Sequence, residues 1–237
     1  MQWILLPGLD GTGRLFEQLL DVIPRTVQVM PISFPTDQVL GYRELHDYVR
    51  QKLPDANPYI LIAESFSGPL AVQLASTGLY NLKALVLCAT YLCRPITQIK
   101  SAMARVANRF VFEFQPPEWP IKHYLLGPDA PKELVQQFNS VISLVKPKVL
   151  SERVRIALEV NVREEFSRVS IPVLWISATL DNLIDWRRSE RQVADKSNVC
   201  VKRVASPHLV LQRRSAEVVQ CMNEFIKNLL LNQTGKA

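Results

Sequence analysis

Cysteine is scarce: four residues, Cys88, Cys93, Cys200 and Cys221, in 237, with no metal-ligand spacing among them. That excludes a disulfide scaffold and a cysteine-built zinc site, and it predicts free thiols in a reducing compartment. No run of about 18 apolar residues occurs, so no transmembrane helix is expected. The opening stretch MQWILLPGLD is apolar over too short a span for a secretory signal and follows no basic segment. A soluble, cytoplasmic protein is therefore expected. Internal repeats and low-complexity segments are missing as well, which argues against solenoids and disordered linkers. Acidic residues are outnumbered 22 to 28, for a net charge of +6. The excess gathers late, at Arg187, Arg188, Arg191, Lys202, Arg203, Arg213 and Arg214. It forms either a solvated face or a patch for an acidic partner such as a carrier protein or a phosphorylated substrate. Without interleaved aromatics or a binding motif, it does not suggest nucleic acid.

What is present fits one α/β domain over residues 1–237, with 48% hydrophobic and 21% charged residues. Short apolar runs alternate with helical periods, the pattern of a mostly parallel, doubly wound sheet with crossover helices. Six strands are expected, at Gln2–Leu6, Val27–Ile32, Tyr59–Ala63, Ala84–Ala89, Val173–Ser177 and Val199–Val204. Runs such as ALVLCA and VLWIS suit strands buried on both faces. Between Cys93 and Arg168 the alternation stops. Ile96, Ile99, Met103, Val106 and Phe110 keep helical period, as do Leu134, Val135, Phe138, Val141, Ile142 and Val145. Residues 93–168 are read as a helical cap inserted over the sheet. Its aromatics Phe112, Phe114, Trp119 and Tyr124 are candidates for lining a substrate pocket, or for gluing the cap to the body.

The chemistry centres on LIAESFSG, which follows the third strand and opens a helix. Ser65 falls at the tip of that turn. A serine nucleophile there needs small residues two positions either side, and Ala63 and Ser67 meet the demand. Placing the nucleophile at Ser67 instead would put Pro69 in the crowded flank. With only three histidines, a base can be sought by elimination. His46 lies mid-helix and His123 in the proline-rich part of the cap. His208, in VASPHLVLQ, follows the sixth strand at the sheet edge where open α/β sheets build their sites. An orienting acid is offered by SATLDNLID after the fifth strand. Asp181 comes off the strand end; Asp185 suits a helix start better, where a carboxylate meets the dipole. The glycine-rich LLPGLDGTG after the first strand lacks the lysine and spacing of a phosphate loop. It suits an oxyanion loop, with the backbone N–H groups of Leu9 and Phe66 as donors.

PGLDGTG, AESFSG, SATLDNLI and SPHLVLQ, in this order, together resemble the α/β-hydrolase superfamily over nearly the whole chain. The resemblance implies that Ser65 attacks, His208 relays the proton and Asp181 holds the imidazole tautomer. It implies an α/β-hydrolase fold lacking the superfamily's first two strands, no cofactor and no metal. It departs from the common pattern at Pro7-Gly8, where His-Gly is frequent, and at Ala63 and Ser67, where glycines are. The expected function is a serine hydrolase of a carboxylic ester or thioester with an apolar acyl group. An acyltransferase or carrier-protein thioesterase with the same triad is the alternative, and a non-catalytic binding scaffold a more distant one.

Overall fold

The computed structural model describes residues 1–95 and 117–234. Strands β1 (Gln2–Leu6), β2 (Val29–Pro31), β3 (Tyr59–Glu64), β4 (Leu82–Cys88), β5 (Val173–Ala178) and β6 (Val199–Val204) form one sheet in the order β2-β1-β3-β4-β5-β6. Every pairing is parallel. Strand β2 is shorter than its apolar run suggested. The Val27 N–H closes a turn onto the Pro24 carbonyl, and Pro31 has no N–H to give.

The helices are α1 (Glu17–Leu20), α2 (Tyr42–Arg50), α3 (Ser67–Ser76), α4 (Glu118–Ile121), α5 (Lys132–Ser143), α6 (Pro147–Glu159), α7 (Arg163–Arg168), α8 (Trp186–Arg191), α9 (Val210–Arg213) and α10 (Ser215–Thr234). Side-chain alternation splits the core into two layers. Ile4, Leu61, Leu85 and Trp175 face α2, α3 and α7 on one side. Leu5, Ile62, Val86 and Ile176 face α1 and α10 on the other, against Val218, Met222 and Phe225. Each such fully buried aliphatic side chain contributes about 1.5–3 kcal/mol of transfer free energy.

Among the described residues between β4 and β5 the chain is helical, with one isolated bridge, Cys93 to Asn161. The apolar stripe of α5 closes a third cluster with Ile121, Leu126 and Leu209. The segment's later helices behave differently: Ile156 and Ala157 of α6 and Phe166 of α7 join the main sheet core. The expected helix carrying Ile96 to Phe110 lies outside the described residues. No helix among those described is long and apolar enough to cross a membrane, and all four cysteines are free thiols.

Candidate active site

The turn between β3 and α3 forces Ser65 into the left-handed region at φ 50°, a conformation that costs a non-glycine residue energy. Its surroundings hold it there. The Ser65 N–H donates to the Cys88 carbonyl at 3.0 Å, and the Ser65 carbonyl accepts from Gly68 N at 3.0 Å and Thr90 Oγ1 at 2.6 Å. Gly68 has no room for a side chain, since a Cβ would lie 1.9 Å from Thr90 Oγ1. Ser67, the neighbouring serine, is fully buried and its hydroxyl donates to the Pro7 carbonyl.

Three strand ends converge on this turn. His208, after β6, places Nε2 2.8 Å from Ser65 Oγ and Nδ1 2.7 Å from Asp181 Oδ2. The other Asp181 oxygen accepts from the N–H groups of Leu183 at 2.7 Å and Ile184 at 2.9 Å, so the carboxylate is oriented from behind. Asp185 is turned away and caps α8, accepting from Arg188 N at 3.0 Å. Burial, the largest influence on His208, lowers its pKa. The charge and hydrogen bond of Asp181, with the charge of Glu64, outweigh burial and hold it above the ordinary 6.5.

An apolar cavity of about 340 Å³ opens beside Ser65 and His208. Leu15, Tyr91, Phe138, Ile142, Leu158 and Ile184 are among its walls. Leu9 and Phe66 line it too, and neither backbone N–H donates to a protein acceptor among the described residues. Tyr124 lines the cavity, but Trp119 does not: it is 66% exposed. Ile121, Tyr124 and Leu125 face inward, and Trp119, two residues before Ile121, falls on the opposite side. Phe112 and Phe114 lie outside the described residues. His123 stacks edge-on against Tyr124, and its carbonyl accepts from Asn182. His46 pairs with Asp47 on α2 and does not line the cavity. Several members of the basic run are engaged: Arg203 with Glu190, Lys202 with Glu224, Arg213 with Asp129 and Arg187 over the Trp186 ring.

Sequence reasoning missed two buried charged residues at the site. Glu64, the last residue of β3, accepts from Gln212 Nε2 at 3.1 Å, while its Oε1 has no hydrogen-bond partner among the described residues. Burial pushes its carboxyl up to about 7, against the pull of Gln212 and His208, with Asp10 adding to the rise. A proton on Glu64 turns an acceptor-only group into a donor and relieves the buried charge. A charge ending an all-apolar strand was the available signal. The second, Arg153, occupies the stripe of Val149, Leu150, Ile156 and Ala157 on α6, where helical spacing places core residues.

Glu64 has a measurable consequence. Its folded pKa lies above its unfolded value of 4.5, so the folded state binds more protons between those values. Stability is then lost as pH rises from 4.5 to about 7 and is flat beyond. Glu64→Gln is expected to raise the melting temperature at alkaline pH, by up to about 3 kcal/mol in stability. The gain should vanish in mild acid. Thermal denaturation of both forms across that range checks this, and a gain independent of pH would exclude the explanation.

Residues 35–208 match the family described as serine aminopeptidase, S33. No curated protein matches the sequence significantly. Solved structures with the same fold include MenH from S. aureus, at 15% identity and TM-score 0.79, covering 97% of this chain and 94% of that one. A hydrolase from Oleispira antarctica aligns at 11% identity and TM-score 0.83, over 96% and 91% of the two chains. A thermophilic esterase from Thermogutta terrifontis aligns at 15% and 0.81, over 97% and 90%. With an all-parallel sheet wrapped by helices on both faces and a family match that spans most of its length, the chain belongs to the serine aminopeptidase S33 family and is an α/β-hydrolase enzyme.

Proposed function

We propose that this hydrolase cleaves a carboxylic ester or thioester with an apolar acyl group, through an acyl-enzyme on Ser65. The observation that carries the reading is the hydrogen-bonded chain from Asp181 through His208 to Ser65 Oγ at the wall of an apolar cavity. Ser65 Oγ attacks the acyl carbon as its proton passes to His208 Nε2. Asp181 steadies the imidazolium through Nδ1. The carbonyl oxygen becomes an oxyanion and is met by the N–H groups of Leu9 and Phe66. Collapse returns the proton from Nε2 to the leaving oxygen or sulfur. Water then enters by the same route in reverse, restoring Ser65 and releasing the acid. The cavity's apolar lining favours an acyl chain over a charged one, since an unpaired charge buried there would lose its hydration. An acyltransferase or a carrier-protein thioesterase would run the same first half-reaction and differ only in acceptor or leaving group.

A panel of aryl esters and acyl thioesters of graded chain length tests the proposal, with apolar chains expected to be turned over best. His208 must be neutral to take the proton, and its pKa is held above 6.5. The value of kcat/KM should therefore fall as the medium is acidified, with a midpoint above 6.5. No turnover across the panel, or a flat profile down to about pH 5 for an acylation-limited ester, would overturn the reading.

A further inference from the structure

The loop from Pro7 to Gly11 presents five consecutive carbonyls to protein donors. Pro7 accepts from Ser67 Oγ, Gly8 from Gly11 N at 3.1 Å and Gly11 from Phe34 N at 2.6 Å. The two between them, Leu9 and Asp10, accept from one atom, Arg153 Nη1, at 2.9 and 2.6 Å. In a trans peptide the N–H points opposite the preceding carbonyl. The Gly8 carbonyl is tied into the turn, which leaves the Leu9 N–H directed the other way, in a residue that lines the cavity.

Arg153 is 2% exposed and reaches this loop from α6, in the helical segment between β4 and β5. Its Nη2 also donates to the Pro35 carbonyl at 2.9 Å, and its guanidinium lies over the Phe34 ring at 5.7 Å. Burial lowers its pKa to about 10, with Asp10 opposing, so it stays charged at neutral pH. Gly11 takes φ 72°, and a Cβ there would sit 2.4 Å from Nη1. The glycine therefore serves both the turn and the close approach of the guanidinium. Two nitrogens of one planar fork serve these three carbonyls, a spread that the single nitrogen of an ammonium on a shorter stem does not reproduce.

From this we infer that Arg153 is a positioning residue for the oxyanion donor: it holds the Leu9 peptide in register for the transition state. The inference rests on the reading of Ser65 as nucleophile and Leu9 N–H as donor. Removing the guanidinium would leave the adjacent Leu9 and Asp10 carbonyls without their donor, and the loop would turn to find partners. The loss should fall on the oxyanion rather than on binding of the ground-state acyl chain.

The test compares the parent with Arg153→Lys and Arg153→Ala. Three quantities are read: steady-state kinetics on the best ester, the rate of fluorophosphonate labelling at Ser65, and the affinity of a trifluoromethyl ketone whose adduct carries an oxyanion. The expected result is a fall in kcat of about 10²-fold, the scale of one lost oxyanion donor, with KM within about threefold. Labelling should slow, and ketone affinity weaken, by a similar factor. Millimolar guanidinium should restore part of the labelling rate to Arg153→Ala. If that variant does not fold, Arg153→Lys carries the comparison. Folded variants that label and bind the ketone like the parent, with only a lower melting temperature, would reduce Arg153 to a strut and overturn the inference. A parent that does not label at Ser65 would overturn the nucleophile reading and this inference with it.

Discussion

Ser65→Ala is expected to lower kcat by roughly 10⁶-fold, the scale seen when a serine nucleophile is removed from an intact triad. In the proposed reaction the hydroxyl does two things that no neighbour replaces: it forms the bond to the acyl carbon, and it gives its proton to His208 Nε2, which lies 2.8 Å away. The fold should survive. The hydrogen bonds that hold Ser65 at this φ are made by its backbone, to Cys88, Thr90 and Gly68, and alanine keeps them. A residual rate of ~10³-fold over water is compatible with donors that still bind the oxyanion. Ser67→Ala is the control with the opposite signature. Its hydroxyl satisfies the buried Pro7 carbonyl, so its removal should cost about 1–3 kcal/mol of stability. Fluorophosphonate labelling should persist. Kinetics, labelling and melting temperature for both variants decide the matter. Full turnover in Ser65→Ala, or labelling lost only in Ser67→Ala, would remove Ser65 from the reaction.

The strands were readable because parallel strands buried on both faces leave continuous apolar runs, as in ALVLCA and VLWIS. The three residues that meet at the turn could be traced because each follows a strand end and the chain offers few histidines. Arg153 was not found, for a physical reason. Its charge argues for the surface, and only the tertiary fold brings α6 against a loop more than 140 positions earlier in the chain, where backbone carbonyls replace water. Glu64 was visible as a charge but not as a buried acid, since its partner Gln212 lies after β6, 148 positions further along the chain. Trp119 shows the limit of composition. Aromatic content marks a segment as apolar, but only the helical phase decides that Tyr124 faces the cavity and Trp119 the solvent.

Asp181→Asn should cut kcat by up to ~10⁴-fold, whereas Asp185→Asn should leave it unchanged. Asp181 Oδ1 accepts from Leu183 N and Ile184 N, while Oδ2 faces His208 Nδ1. An asparagine at 181 would keep its carbonyl oxygen toward the two N–H groups, which offer only donors. Its NH₂ would then face Nδ1 and favour the tautomer with the imidazole proton on Nε2. That nitrogen lies against Ser65 Oγ, and once protonated it cannot accept the serine's proton. The packing is almost isosteric, so the melting temperature should change far less than the rate. At position 185 the balance reverses. Its carboxylate caps α8 through Arg188 N, and asparagine caps about as well. Only the charge facing the helix dipole is lost, about 0.3–1 kcal/mol. Measuring kcat and melting temperature for both variants separates the two. Loss of turnover in Asp185→Asn with an active Asp181→Asn would move the acid to position 185, and two active variants would leave His208 to orient itself without a carboxylate.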